Sequence, residues 1–357
     1  MKKNIVAVMG LMIMLSACGT NQEVATNQGT HSQQDQNVSQ GVSYNIPEQC
    51  QETVGCVELA YHVEFPQNLK NAPLYQCTAT QVNCETEKLK SVFGEDVQLN
   101  QETEDETKPI LRADASEVHF FTPLASSIGN SLDTDAEEGN LERYKKNENL
   151  DFMPYKEAYE NICSSIKKMG VDMDDTEYIC YALDCDTLTN EEVLPVDMDG
   201  NVCTDEEHGA YSKEEECYYF AIWQKQQGIQ EYHPYGGVFG CIAAENAPIQ
   251  VLYSKNGIEQ LVMEKAFTFE QQEDNTVLKD LSEINQVITD EFNDILAEET
   301  YRVVEGKFVW KTASFGKEMQ PAWYFRIEYT TKKGESYTTY RLVNAETGKL
   351  INMEGVY

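Results

Sequence analysis

The stretch from Leu281 to Leu296 restricts the fold more than any other part of the sequence. Ile284, Val287, Ile288, Phe292, Ile295 and Leu296 recur at helical spacing and form one apolar stripe, with Ser282 placed as the N-cap. Such a stripe has to be buried against a partner. The next segments all read as strands: Tyr301 to Ser314, Ala322 to Thr330, and Tyr337 to Ala345. In the middle one Trp323, Phe325, Ile327 and Tyr329 face one way, and Tyr324, Arg326, Glu328 and Thr330 the other. Lys333-Gly334 turns the last hairpin. A helix covering an antiparallel sheet is the economical solution, so the predicted class is α+β.

The same order, helix then strands, occurs earlier. Tyr159, Ile162, Ile166 and Met169 define a helix from Tyr155 to Met169, capped by Gly170. Glu177–Leu183 and Cys217–Trp223 follow as strands. Antiparallel sheets, each covered by a helix, are therefore expected, with the helix-strand-strand unit read as a duplication. Further strands are expected at Val57–Phe65, Leu74–Cys77 and Val118–Phe121, and a short helix at Glu85–Phe93. A hairpin is expected from Ile249–Tyr253 and Ile258–Phe269, turning at Asn256-Gly257. Gln101–Thr107 is an acidic loop, and Ser126–Asn149 reads as a linker or long surface loop. These boundaries divide the chain into residues 1–17, a tether at 18–48, an α+β segment at 49–125, a Cys-containing α+β segment at 150–247, and a C-terminal α+β domain at 248–357.

The N-terminus gives an address. Lys2 and Lys3 precede an apolar run from Ile5 to Leu15, too short for a permanent span, which needs about 20 residues. It has the length of a secretory leader. Leu15-Ser16-Ala17-Cys18-Gly19 resembles the lipobox of bacterial lipoproteins. The resemblance implies cleavage before Cys18, lipidation of its sulfur, and a membrane anchor on the extracytoplasmic face of the cell membrane. Residues 19–48 are rich in Gln, Asn, Thr, Ser and Gly, and as a flexible tether would reach roughly 30 Å. The formal charge of −34 argues against a nucleic-acid partner. Hydrophobic content of 41% is enough for a real core.

Eleven cysteines are present, and setting Cys18 aside leaves an even number. In an exported chain, Cys50, Cys56, Cys77, Cys84, Cys163, Cys180, Cys185, Cys203, Cys217 and Cys241 are therefore expected to form disulfides, their pairing open. Cys50 with Cys56, Cys77 with Cys84, and Cys203 with Cys217 are short-range candidates. No Cys-x-x-Cys occurs, and the five histidines are scattered. Asp197, Asp199, Gly200 and Glu206 fall on calcium-loop positions, but Pro195 stands where the first carboxylate is needed, so an Asp-Gly turn is the reading. No G-x-S-x-G, H-E-x-x-H or P-loop is found, and no cofactor or metal is expected. Tyr232, His233 and Tyr235 crowd a glycine-rich loop that could hold a ligand by stacking.

Pro321-Ala322-Trp323-Tyr324-Phe325 and Tyr340-Arg341-Leu342-Val343-Asn344-Ala345-Glu346-Thr347-Gly348 resemble the end of PepSY-like domains and of the YycH/YycI-type regulators of Gram-positive bacteria. The likeness covers about Ile249 to Ile351. It implies a helix-on-sheet C-terminal domain and a non-catalytic modulator of a sensor kinase or peptidase. The expected function is that of a lipoprotein of the cell envelope acting by binding and not an enzyme. A solute-binding lipoprotein of a transporter ranks second and an envelope hydrolase third.

Overall fold

The computed structural model describes residues 44–99, 108–114, 117–132, 140–194, 201–203, 207–232, 247–264, 266–294, 299–312 and 317–352. β1 (Gln49–Val54) and β2 (Val57–Glu64) form a hairpin with a two-residue turn, where Gly55 takes a φ of +62° that costs a residue without Cβ little. Val57, Leu59, Tyr61 and Val63 alternate inward along β2. β3 (Leu74–Gln81) and α1 (Thr86–Phe93) follow. β4 (Gln98–Leu99), β5 (Ile110–Asp114) and β6 (Glu117–Phe121) lead to α2 (Pro123–Ile128), capped by Thr122. β7 (Lys145–Lys146) precedes α3 (Tyr155–Lys168), β8 (Thr176–Leu183) and α4 (Cys185–Asn190). Then come β9 (Cys217–Gln226), β10 (Ile229–Gln230), β11 (Ile249–Ser254), β12 (Gly257–Glu264) and β13 (Phe267–Thr276). The chain closes with α5 (Leu281–Asn293), β14 (Thr300–Thr312), β15 (Met319–Thr330), β16 (Ser336–Asn344) and β17 (Leu350–Ile351).

These elements make a mixed α+β fold. One sheet has the order β1-β2-β14-β15-β16-β17, a second β4-β5-β6-β12-β11-β9-β8-β7 with β10 beside β9, and β13 pairs β3. In the first sheet the pairing of β2 with β14 is parallel and the rest antiparallel. Its inner face, with Val57, Leu59, Tyr61, Phe308, Trp323, Phe325 and Val343, packs on Ile284, Ile288 and Phe292 of α5. In the second, Tyr218, Phe220 and Ile222 of β9 share a core with Ile162 and Ile166 of α3. Tyr219, Ala221 and Trp223 on the reverse of β9 pack with Ile128 of α2 and Leu188 of α4. Coverage on both faces explains why Cys217–Trp223 is continuously apolar.

Several expectations need correction. The three segments 49–125, 150–247 and 248–357 are not separate layers, because each large sheet takes strands from more than one of them. The apolar face of β2 needs α5 to cover it, and a long-range parallel pairing leaves no mark in local sequence. Ile258–Phe269 is not one strand: β12 ends at Glu264, and Phe267 starts a strand paired with β3 instead. The N-cap of α5 is Asp280, whose backbone is extended, so Ser282 lies within the first turn. The Ser126–Asn149 stretch is no linker where it is described. Ile128, Ser131, Asn140, Leu141 and Tyr144 are buried in it, and Asn140 Nδ2 donates to Ser131 O at 2.9 Å.

Trp323 is 1% exposed, between Phe65 and Phe308 with ring centroids at 6.1 and 5.2 Å. Truncating a buried tryptophan costs about 3–5 kcal/mol. Trp323→Ala should lower the denaturant midpoint by a corresponding amount, and an unchanged midpoint would contradict its place in this core.

Candidate functional site

α5 lies over the first sheet against β2 and β16. β1, one strand further out, overhangs the helix and leaves a groove of about 580 Å³ between them. Its walls include Cys50, Glu52 and Val54 of β1, and Ser282, Asn285, Gln286 and Thr289 of α5, with Asn45 and Pro47 of the segment before β1 and Asp280 ahead of the helix also lining it. The pairings Cys50↔Tyr61, Glu52↔Leu59 and Val54↔Val57 put these β1 side chains on the same face as the buried face of β2.

Two asparagines of α5 hold the hairpin in place. Tyr61 passes its ring over β14 and donates its hydroxyl to Asn285 Oδ1 at 2.6 Å. Burial pushes the Tyr61 phenol far above its ordinary pKa, so it stays a neutral donor. Asn285 Nδ2 in turn faces Cys50 Sγ at 3.6 Å. At the helix end, Asn293 Oδ1 accepts the Cys56 N–H at 2.9 Å, and its Nδ2 donates to Val54 O at 3.1 Å. The opposite flank of α5 is tied to β16, where Arg341 Nε donates to Glu291 Oε1 at 2.7 Å and the guanidinium lies 5.1 Å from the Phe292 ring centroid.

The outer edge of β1 is open. Val63 N donates to Glu48 O at 3.0 Å, which fixes the alternation of the antiparallel ladder. Cys50, Glu52 and Val54 therefore bond to β2, whereas the N–H and C=O of Gln49, Gln51 and Thr53 point away from it. Among the described residues those outward groups have no partner. The other ends of the two large sheets are two-residue strands, β4, β7 and β17. β13 is also an edge, but its register breaks between Gln271 and Asn275 and it carries Glu270, Glu273 and Asp274. Charges and irregular register are how edges are protected against added strands. β1 has an unbroken register and a single charge, Glu52.

The residues expected from sequence lie elsewhere. Tyr232 is 5% exposed and pinned beside Tyr324, its N–H bonded to Trp310 O at 2.7 Å, so it is a packing residue and not a stacking surface. His233, Tyr235, Cys18, Cys241 and the loop from Pro195 to Gly200 lie outside the described residues. The nine described cysteines are all free thiols, so none of the expected disulfides forms among them. Cys50 and Cys56 are separated by most of β1, roughly 15 Å, more than twice what a disulfide tolerates. Cys77 and Cys84 belong to different cores. Cys217 is wholly buried, with burial pushing its thiol pKa far up, whereas Cys203 is only half-buried. The buried Cys77, Cys84, Cys180 and Cys217 serve here as small apolar residues. No group of His, Cys, Asp or Glu that could hold a metal occurs among the described residues, and none of their helices is long and apolar enough to cross a membrane.

Sequence reasoning missed the groove because β1 reads Gln-Cys-Gln-Glu-Thr-Val, with neither alternation nor β-branched richness until its end. The only available signal was its position, one tight turn ahead of a clearly alternating strand.

No family model matches the chain, and no curated protein matches it. Among solved structures, it is similar to an uncharacterized protein from Eubacterium rectale ATCC 33656. The identity is 13%, the overlap covers 86% of this chain and 94% of that one, and the TM-score is 0.55. What is shared at that identity is the fold.

Gly306 of β14 leaves the space that the Tyr61 ring occupies; a Cβ there would meet a ring carbon at 2.3 Å. Gly306→Ala should displace Tyr61 from Asn285, costing about 1–3 kcal/mol. Cys50 should then react faster with a thiol reagent in the native state. Wild-type stability and an unchanged Cys50 rate would contradict this account of the hairpin's seating.

Proposed function

We propose that the chain is a lipoprotein anchored by acyl chains on Cys18 to the extracytoplasmic face of the cell membrane. It acts there by binding an envelope protein, such as a sensor kinase or a peptidase, and modulating it without chemistry of its own. The observation that carries this reading is the open edge of β1 beside the groove under α5. A sheet edge with unused N–H and C=O groups is a ready surface for another chain. The groove's side chains favour binding over catalysis. Tyr61 and Asn285 are engaged with each other, and the Cys50 thiol faces the Asn285 amide. His62, the histidine of this hairpin, alternates onto the opposite face.

The C-terminal part is read as PepSY-like. Supporting this, α5 is followed by three consecutive antiparallel strands, and Ala322-Trp323 lies directly against Val343-Asn344. A helix followed by two antiparallel neighbouring strands recurs in α3, β8 and β9, where α4 is inserted between the strands, and in α5, β14 and β15, and this supports an origin by duplication.

One experiment in cells tests the function. A photo-crosslinking residue at position 286, in the groove, should give a discrete adduct with an envelope protein, whereas one at the exposed Val193 should not. Cys18→Ala should release the protein from the membrane fraction and weaken the adduct. Equal labelling from both positions, or full membrane retention of processed Cys18→Ala, would contradict the reading.

A further inference from the structure

We infer that the partner enters as an extended segment that adds a strand to the outer edge of β1 and places a cationic side chain in the groove. This rests on the binding reading above and gives it a recognition chemistry. The outward N–H and C=O groups of Gln49, Gln51 and Thr53 supply a ladder with the spacing of a strand, and the register of β1 carries no bulge to interrupt it. In strand addition the main chain gives the affinity, and side chains at alternate positions give the specificity.

The side chains follow from which face they meet. Alternate residues of an added strand point into the groove beside Cys50, Glu52 and Val54, and the ones between point to the open face beside Gln49, Gln51 and Thr53. Glu52 and Asp280 both line the groove, and neither has a basic partner among the described residues. Lys279, next to Asp280, is engaged with Glu283. The position opposite Glu52 therefore takes lysine or arginine, since opposite charges facing across strands are favourable and like charges are not. Val54 and Cys50 on either side accept small apolar groups.

The charge of the molecule also separates the alternatives. A second copy of this chain would bring another −34 and another Glu52 to the same edge. Two strongly acidic bodies repel, so a basic segment of a different protein fits where a self-pairing edge does not.

The probe is a blocked pentapeptide, Val-Thr-Lys-Thr-Val, titrated into the isotope-labelled protein with amide shifts followed by NMR. Its pattern is symmetric and presents valine, lysine and valine on one face in either strand direction. Saturable shifts confined to β1 and the first turns of α5 are expected, with a dissociation constant on the order of 0.1–1 mM. Gln51→Pro deletes only an outward donor, which an edge strand tolerates, and should weaken binding at least tenfold at unchanged thermal stability. Glu52→Lys should lose the lysine peptide and gain the peptide with glutamate in its place, an exchange that also decides the matter if Gln51→Pro fails to fold. No saturation by about 5 mM peptide, or an affinity indifferent to both substitutions, would overturn strand addition. In that event a groove-specific adduct from position 286 would leave the binding reading standing, and its absence would remove both. A concentration-dependent dimer that Gln51→Pro abolishes would assign the edge to a second copy and overturn the basic partner.

Discussion

The parallel pairing of β2 with β14 is the constraint on which the architecture rests. It joins a strand near residue 60 to one near residue 305, and an isolated two-stranded hairpin is at best marginally stable. The hairpin is therefore folded only because the C-terminal sheet accepts it and α5 covers it. Asn285 and Asn293 determine how it sits. A single hydrogen bond of this kind contributes about 0.5–1.5 kcal/mol net, so the two amides orient a hairpin whose burial comes from Val57, Leu59 and Tyr61. Gly306 is the counterpart on the sheet, where the lack of a side chain admits the Tyr61 ring.

From that seating the groove follows. α5 lies against β2 and β16 and reaches β1 through Asn285 and Asn293, and β1, as the outermost strand, keeps one side bonded and the other open. The sheet ends elsewhere in two-residue strands, and β13 carries three carboxylates and a broken register. Glu52 and Asp280 line the groove beside the β1 edge, and the proposed basic partner rests on them.

Periodicity made much of this legible in the sequence. The helices at Tyr155 and Leu281, the alternation of Val57–Phe65 and the two faces of β15 follow from side-chain spacing, which burial respects. Segments whose structure depends on distant partners were not legible. β1 is polar because it is an edge, and the Ser126–Asn149 stretch is polar because its buried groups, such as Ser131 and Asn140, are paired internally. Cysteine parity pointed to disulfides, whereas Cys180 and Cys217 fill core positions on facing strands. Of the candidate site, α5 and β2 were legible in the sequence and β1 was not. Tyr232 drew notice for its aromatic surroundings and proved to be packing.

The central claim is that β1 bonds on one side only. Residue-resolved amide hydrogen exchange of the purified protein tests it most directly. The N–H groups of Cys50, Glu52 and Val54 should be protected by the ladder to β2, and those of Gln49, Gln51 and Thr53 should exchange at nearly solvent rates. Alternating protection along the six residues is the predicted result. Uniform protection would show that something in the protein already covers that edge, and uniform fast exchange that the hairpin is not seated on the sheet; either would contradict the account.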